Sequence, residues 1–137
     1  MNKLLFFFGV IALLGFSSCF NAHSESHEEF GVLSQLVKAF NESNYRQLAQ
    51  QSDELLELTF ENEARHYSQT QTRFALKDFF QRNPVASFEI LHSSQQTSIR
   101  YIIGNYRSSM GVYRISIRMR KIGNEYRINM MKFRKES

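Results

Sequence analysis

Pro84 is the only proline in the chain, and after it the apolar residues keep to a period of two with no return of a helical pattern. Four alternating runs, near 86–92, 98–106, 111–121 and 125–134, are separated by Ser/Gln-rich, Ser-Ser-Met-Gly and Ile-Gly-Asn breaks of hairpin length. Such a run of strands predicts an antiparallel meander. The third shows the two faces best: Tyr113, Ile115, Ile117 and Met119 are expected to face a core, and Arg114, Ser116, Arg118 and Arg120 to point away. In the fourth, Tyr126, Ile128 and Met130 alternate with Arg127, Asn129 and Met131. The second, with Ile102 beside Ile103, does not declare its inward face.

Upstream, Leu33, Leu36, Val37 and Phe40 recur at helical spacing, and Asn44 is placed to cap a short second helix carrying Tyr45, Leu48 and Ala49. Residues 54–60 alternate as a strand, with Leu56, Leu58 and Phe60 on one side, and a short strand is expected near 65–67. Ser68 and Gln71 have the spacing of a capping box and open a third helix, which Asn83-Pro84 ends because proline disfavours helical geometry before it. The fold class that follows is α+β in two layers: three N-terminal helices packed on a curved antiparallel sheet whose other face is open.

Residues 1–19 read as a signal peptide, with Lys3, an apolar run over 4–16 too short to cross a bilayer, and Ser17-Ser18-Cys19. Two cuts are compatible with it. Phe16-Ser17-Ser18-Cys19 resembles a lipobox, which would make Cys19 a lipidated first residue, whereas a cut after Ala22-His23-Ser24 would leave a chain from Glu25 without cysteine. Either way the protein is expected to be exported, periplasmic or associated with the outer membrane, and held at the membrane by a lipid anchor if Cys19 is acylated. A lone cysteine builds no disulfide within the chain, so packing must hold the fold. Residues 20–29 are polar and aperiodic and are expected to be a tether, leaving one domain over 30–137 with thirteen Phe and six Tyr in the whole chain to supply its core.

Short motifs then carry a resemblance. Tyr67-Ser68-Gln69, Asp78-Phe79-Phe80, Pro84, Phe88-Glu89-Ile90 with His92, Tyr101-Ile102-Ile103-Gly104, Gly111-Val112-Tyr113-Arg114 and Tyr126-Arg127-Ile128 resemble an uncharacterised family of exported bacterial domains, domain of unknown function 4783, over about residues 30–133. That family is similar to the cone-shaped fold of nuclear transport factor 2, also described as cystatin-like. The resemblance implies a curved sheet that wraps a long helix, with a pocket at the open end and, in relatives of this shape, pairing of two copies through the open sheet face. It implies no reaction, since the same cone serves isomerases, hydratases, lyases and binding modules alike.

Proton abstraction in such a pocket needs a carboxylate in an apolar site, and Glu57, Glu61 and Glu89 all alternate away from the apolar faces. No catalytic residue is assigned. The candidate pocket residues are His66, Tyr67, His92 and Tyr101: His92 shares a face with Phe88 and Ile90 near a strand end, and the tyrosines offer hydroxyls. The plainer alternative makes the histidines edge residues and the tyrosines core residues with a wet tip. Neither His66 nor His92 stands at ligand spacing with another His, Cys or acid, and His23 and His27, four apart in the tether, are too weak a cluster to predict a metal site, so no metal and no cofactor is expected. From residue 98 onward ten basic residues face two acidic ones, and Arg114, Arg118, Arg120 and Arg127, with Arg100 expected alongside, make a candidate basic surface on the open sheet. It suits an acidic partner or anionic headgroups, or is a solvated face. Nucleic acid is not expected for an exported chain. The reading is a non-catalytic, lipid-anchored envelope protein that binds a small apolar ligand or another envelope protein, with a small-molecule enzyme as the alternative and a homodimer opposed by Arg114 and Arg118.

Overall fold

A computed structural model describes the backbone of residues 22–137 and the side chains of residues 27–137. In chain order the elements are α1 (Ala22–Asn41), α2 (Tyr45–Gln50), β1 (Ser52–Phe60), β2 (Glu63–Ser68), α3 (Gln69–Arg82), β3 (Val85–Gln96), β4 (Ile99–Ser108), β5 (Gly111–Ile122) and β6 (Glu125–Lys135). The six strands form one sheet in the order β2-β1-β6-β5-β4-β3, and the helices cover one of its faces. All neighbours are antiparallel except β1 and β6, which run parallel, so the first strand of the chain docks on the last strand of the meander.

Local signals behave as their chemistry predicts. Asn44 Oδ1 accepts from the Gln47 backbone N–H at 3.1 Å and caps α2. Ser68 and Gln71 close a reciprocal capping box at the start of α3, and α3 stops at Asn83 ahead of Pro84. The expected tether is corrected in part: α1 begins at Ala22, so residues 22–29 are helical. The reason lies far away in sequence, in ion pairs from Glu28 to Lys121 (3.5 Å) and from Glu29 to Arg100 (2.8 Å).

Ile115, Ile117 and Met119 are buried under the helices as alternation requires, and Arg100, Ile102, Gly104 and Tyr106 are the inward residues of β4. Of the register shifts in the sheet, two reverse a facing that alternation predicts. In β6 the register slips at Asn129, so Met131 and Phe133 are buried where Met130 had been expected to face the core. In β3 it slips at Leu91, which turns His92 outward, away from the side of Phe88 and Ile90. Each bulge inserts an unpaired residue and bends its strand, which is how a sheet of this length comes to curve.

Phe88 joins the layers. Its ring stacks on Phe40 of α1 with centroids 4.4 Å apart. Its backbone N–H donates to Asn41 Oδ1 (2.9 Å) and its carbonyl accepts from Asn41 Nδ2 (3.0 Å), so one side-chain amide satisfies the free edge of β3. The ring lies over Gly104, where an added Cβ would come within 2.4 Å of Phe88 Cε2 and Cζ. Because Phe40 blocks retreat of the ring, Gly104→Ala is expected to destabilise the domain by about 1–3 kcal/mol, the usual range for overpacking. Urea denaturation measures this, and an unchanged midpoint would show that the ring is not confined.

Candidate functional site

The concave side of the sheet is filled by rings. Beyond the Phe40–Phe88 stack, Phe80 meets Phe40 edge-on at 6.0 Å, and Phe79 packs against Phe133 (4.6 Å), Tyr113 (5.1 Å) and Tyr106 (5.3 Å). Tyr106 is fully buried and its hydroxyl donates to the Asn83 carbonyl, which ties β4 to the end of α3. Burial pushes the Tyr106 phenol well above its ordinary value of 10.0, and the neighbouring Tyr113 adds to this. The Tyr113 phenol is raised for the same first reason, with the Glu61 carboxylate contributing. Both hydroxyls therefore stay protonated, and that of Tyr106 acts as a donor.

Hollows lie around this packed interior, and three of them bear on the candidate residues. One of about 520 Å³ opens between α3 and the ends of β1, β5 and β6, walled by Phe60, Tyr67, Phe79, Met110 and Tyr113. A second, of about 460 Å³, lies at the opposite end between α1, the end of α2 and the β5–β6 hairpin. The third, of about 720 Å³, runs beside Asp53, Leu55, Arg120 and Arg127.

Of the four pocket candidates, only Tyr67 lines a hollow. The other three are corrected to the outer face of the sheet. Cross-strand register places Ser94, Tyr101, Arg118, Met130, Glu57 and His66 in one transverse row, and His92, Ile103, Ser116, Lys132 and Thr59 in the next. The Leu91 bulge accounts for His92, and Tyr101 points outward because Arg100 and Ile102 point in. His66 and His92 are exposed, and among the described residues no group of three or more His, Cys, Asp or Glu is placed to hold a metal.

The basic candidates share this outer face, and most of their charge is answered locally. Arg114 pairs with Glu136 (2.7 Å) and Arg120 with Asp53 (2.7 Å), while Arg127 donates to the Gln50 carbonyl (2.7 Å) and approaches Glu125 (3.6 Å). Arg118 instead donates to the neutral Asn129 Oδ1 at 2.8 Å, which is the side chain at the β6 bulge. Lys132 and Arg134, from alternate outward positions of β6, are exposed nearby. Arg100, expected with this group, is corrected to the inner face and is only 2% exposed. Its guanidinium donates to Glu29 and Gln95 and lies 5.1 Å from the Tyr126 ring centroid. Sequence reading missed this residue as a site. The one available signal was register, since Arg100 is two positions from the buried Ile102.

Comparison with known proteins agrees with this geometry. A family profile for a domain of unknown function, DUF4783, matches residues 33–134. The chain belongs to the DUF4783 family. Among solved structures, a DUF4783 protein from Bacteroides ovatus aligns with a TM-score of 0.72 at 20% identity, over 74% of this chain and 93% of that one. Another from Bacteroides fragilis aligns with a TM-score of 0.70 at 27% identity, over 74% and 95%. An NTF-2 like protein of unknown function from Silicibacter pomeroyi, 12% identical, aligns with a TM-score of 0.59 over 84% and 98%, which places the DUF4783 chain in the NTF2-like fold. No curated protein matches the chain. No helix among the described residues is long and apolar enough to cross a membrane, and Cys19 lies outside the described residues.

The buried phenols set an alkaline limit for this DUF4783 domain. A group held above its unfolded value of 10.0 contributes stability that is complete below that value and is lost as pH rises beyond it. The denaturation midpoint is therefore expected to fall through the alkaline range, and less steeply in Tyr106→Phe. Equal slopes for the two proteins would remove Tyr106 as the cause.

Proposed function

We propose that this DUF4783 chain is a non-catalytic binding module of the cell envelope, exported and lipid-anchored at Cys19, which engages an acidic partner protein through its outer sheet face. The observation that carries the reading is the content of that face: Arg118, Lys132 and Arg134 are interleaved with the exposed Tyr101 and the half-buried Ile103 and Met130, on a sheet whose opposite side alone is covered by helices. Arginine and tyrosine provide large contact area with hydrogen-bonding ends, the composition enriched where proteins meet. The interior supports the same choice. Aromatic rings occupy the space where the cone would enclose a ligand, and of the carboxylates expected to face solvent Glu61 and Glu89 are exposed and Glu57 is half-buried beside Met130.

A second copy is a poor occupant of this face. Two-fold pairing would bring Arg118, Lys132 and Arg134 of both copies together with few carboxylates to answer them, and a buried unpaired charge is costly. An acidic surface on a different protein meets the same residues without that repulsion.

A photo-crosslinking residue at Ser116, in the middle of the outer face, is expected to trap one envelope protein in the native host. Charge reversal at Arg118 and Lys132 should abolish the adduct, and the same probe at Phe74, which is 57% exposed on α3, should give none. Adducts from Phe74 alone, adducts indifferent to charge reversal, or an adduct of twice the chain mass would contradict the reading. Intact mass of the same preparation should include a diacylglyceryl group on Cys19, and a start at Glu25 would remove the anchor.

A further inference from the structure

Arg100 sits where the surrounding core does not call for a charge. Its inner-face neighbours across and along the sheet, Met119 and Ile102, are apolar and buried, and a buried ion pair is generally replaceable by apolar residues at no loss. Yet the guanidinium is held in one orientation. Nη2 donates to Gln95 Oε1 at 2.7 Å, Gln95 Nε2 in turn donates to the Tyr126 hydroxyl at 3.0 Å, and the Tyr126 ring lies beside the guanidinium. Two side chains thereby fix the plane of the arginine.

The carboxylate that meets this fork is Glu29, through Nη1 at 2.8 Å, and Nε is buried with no hydrogen-bond partner among the described residues. A guanidinium is built to receive a carboxylate on two parallel N–H groups, so the internal partner uses the site incompletely. Glu29 itself is 47% exposed, on the second turn of α1. Two residues on is Gly31, where nothing lies within 4 Å of an added Cβ, so no steric demand explains a residue disfavoured in a helix interior. Phe30 between them is 74% exposed. The start of α1 is thus held to the sheet by Glu28 with Lys121 and Glu29 with Arg100, above a weak point in the helix.

Beside Arg100 lies the 460 Å³ hollow at this end of the cone, with Met119 and Tyr126 shared between the two; Val32 adds to this apolar wall, and amide side chains with Glu28, Glu125 and Arg127 line the rest. We infer that Arg100, Gln95 and Tyr126 form a binding site for a carboxylate-bearing small molecule, that Glu29 occupies the site in cis, and that opening of α1 at Gly31 exchanges Glu29 for a ligand whose body rests against Val32, Met119 and Tyr126 at one wall of the adjoining hollow. The inference does not depend on the outer face having a partner.

Isothermal titration with phenylacetate, with acetate as the body-less control, tests it on the full mature chain. Removing the internal competitor frees the competent state, so Glu29→Gln is expected to bind phenylacetate about tenfold more tightly than the unaltered protein and more tightly than it binds acetate. Adding Arg100→Met to that variant should abolish binding. Gly31→Ala, which stiffens the start of α1 and leaves the site untouched, should weaken phenylacetate binding to the unaltered protein about threefold. Equal affinities of Glu29→Gln and the unaltered protein, no saturable binding to folded Glu29→Gln, or binding that survives Arg100→Met would overturn the proposal. If Glu29→Gln does not fold, the Gly31→Ala comparison decides, and unchanged or absent binding there overturns it equally.

Discussion

Phe88 connects the two layers of this domain, because one residue stacks on α1, covers Gly104 of the neighbouring strand and has both backbone polar groups satisfied by Asn41. An edge strand without a partner exposes a row of unpaired groups, and here a side-chain amide answers part of that row while the ring beneath it enters the core. Phe40, Phe79, Phe80, Tyr106 and Phe133 then complete an aromatic layer with ring centroids from 4.4 to 6.0 Å apart. A sheet curved around such a layer encloses side chains where a hollow cone would enclose a ligand. The surfaces left for function are the outer face and the hollows at the two ends.

Register decides what each surface contains. The bulge at Asn129 keeps Met131 and Phe133 in the core and supplies the amide that receives Arg118, so one irregularity serves packing and the outer face together. The bulge at Leu91 sends His92 to the row that also holds Ile103, Ser116 and Lys132. Inside, the same pairing brings Gln95 and Arg100 opposite each other, beneath the start of α1. A charged side chain on the buried face needs its partners supplied by the fold, and these come from α1, β3 and β6.

Much of the fold was legible because its signals are local. Ser68 with Gln71, Asn44, Asn83-Pro84 and the alternation of Ile115, Ile117 and Met119 with arginines each act within a few residues. What alternation does not carry is a change of phase. A single extra residue at Leu91 or Asn129 moves every later side chain to the opposite face, which is why His92 and Met130 were assigned to the core side. The parallel docking of β1 on β6 and the helical start at Ala22 rest on partners more than sixty residues away. Arg100 was illegible for the same reason: an arginine in an alternating strand reads as solvent-facing until the carboxylate 71 residues earlier is placed beside it. The candidate pocket was therefore drawn from tyrosines and histidines that the register puts outside, and the buried arginine on the inner face was counted with the basic surface.

The central claim is that aromatic packing closes the interior and leaves ligand and partner recognition to the outer face and the rim. A crystal of the domain pressurised with xenon tests this directly, since xenon enters apolar cavities that stay dry. The packing described here predicts no xenon among Phe40, Phe80, Phe88 and Tyr106, and a new site there only when Phe80 is replaced by Ala. Xenon bound between these rings in the unaltered protein would mean that the cone is hollow, and the interior would have to be counted again as a binding site.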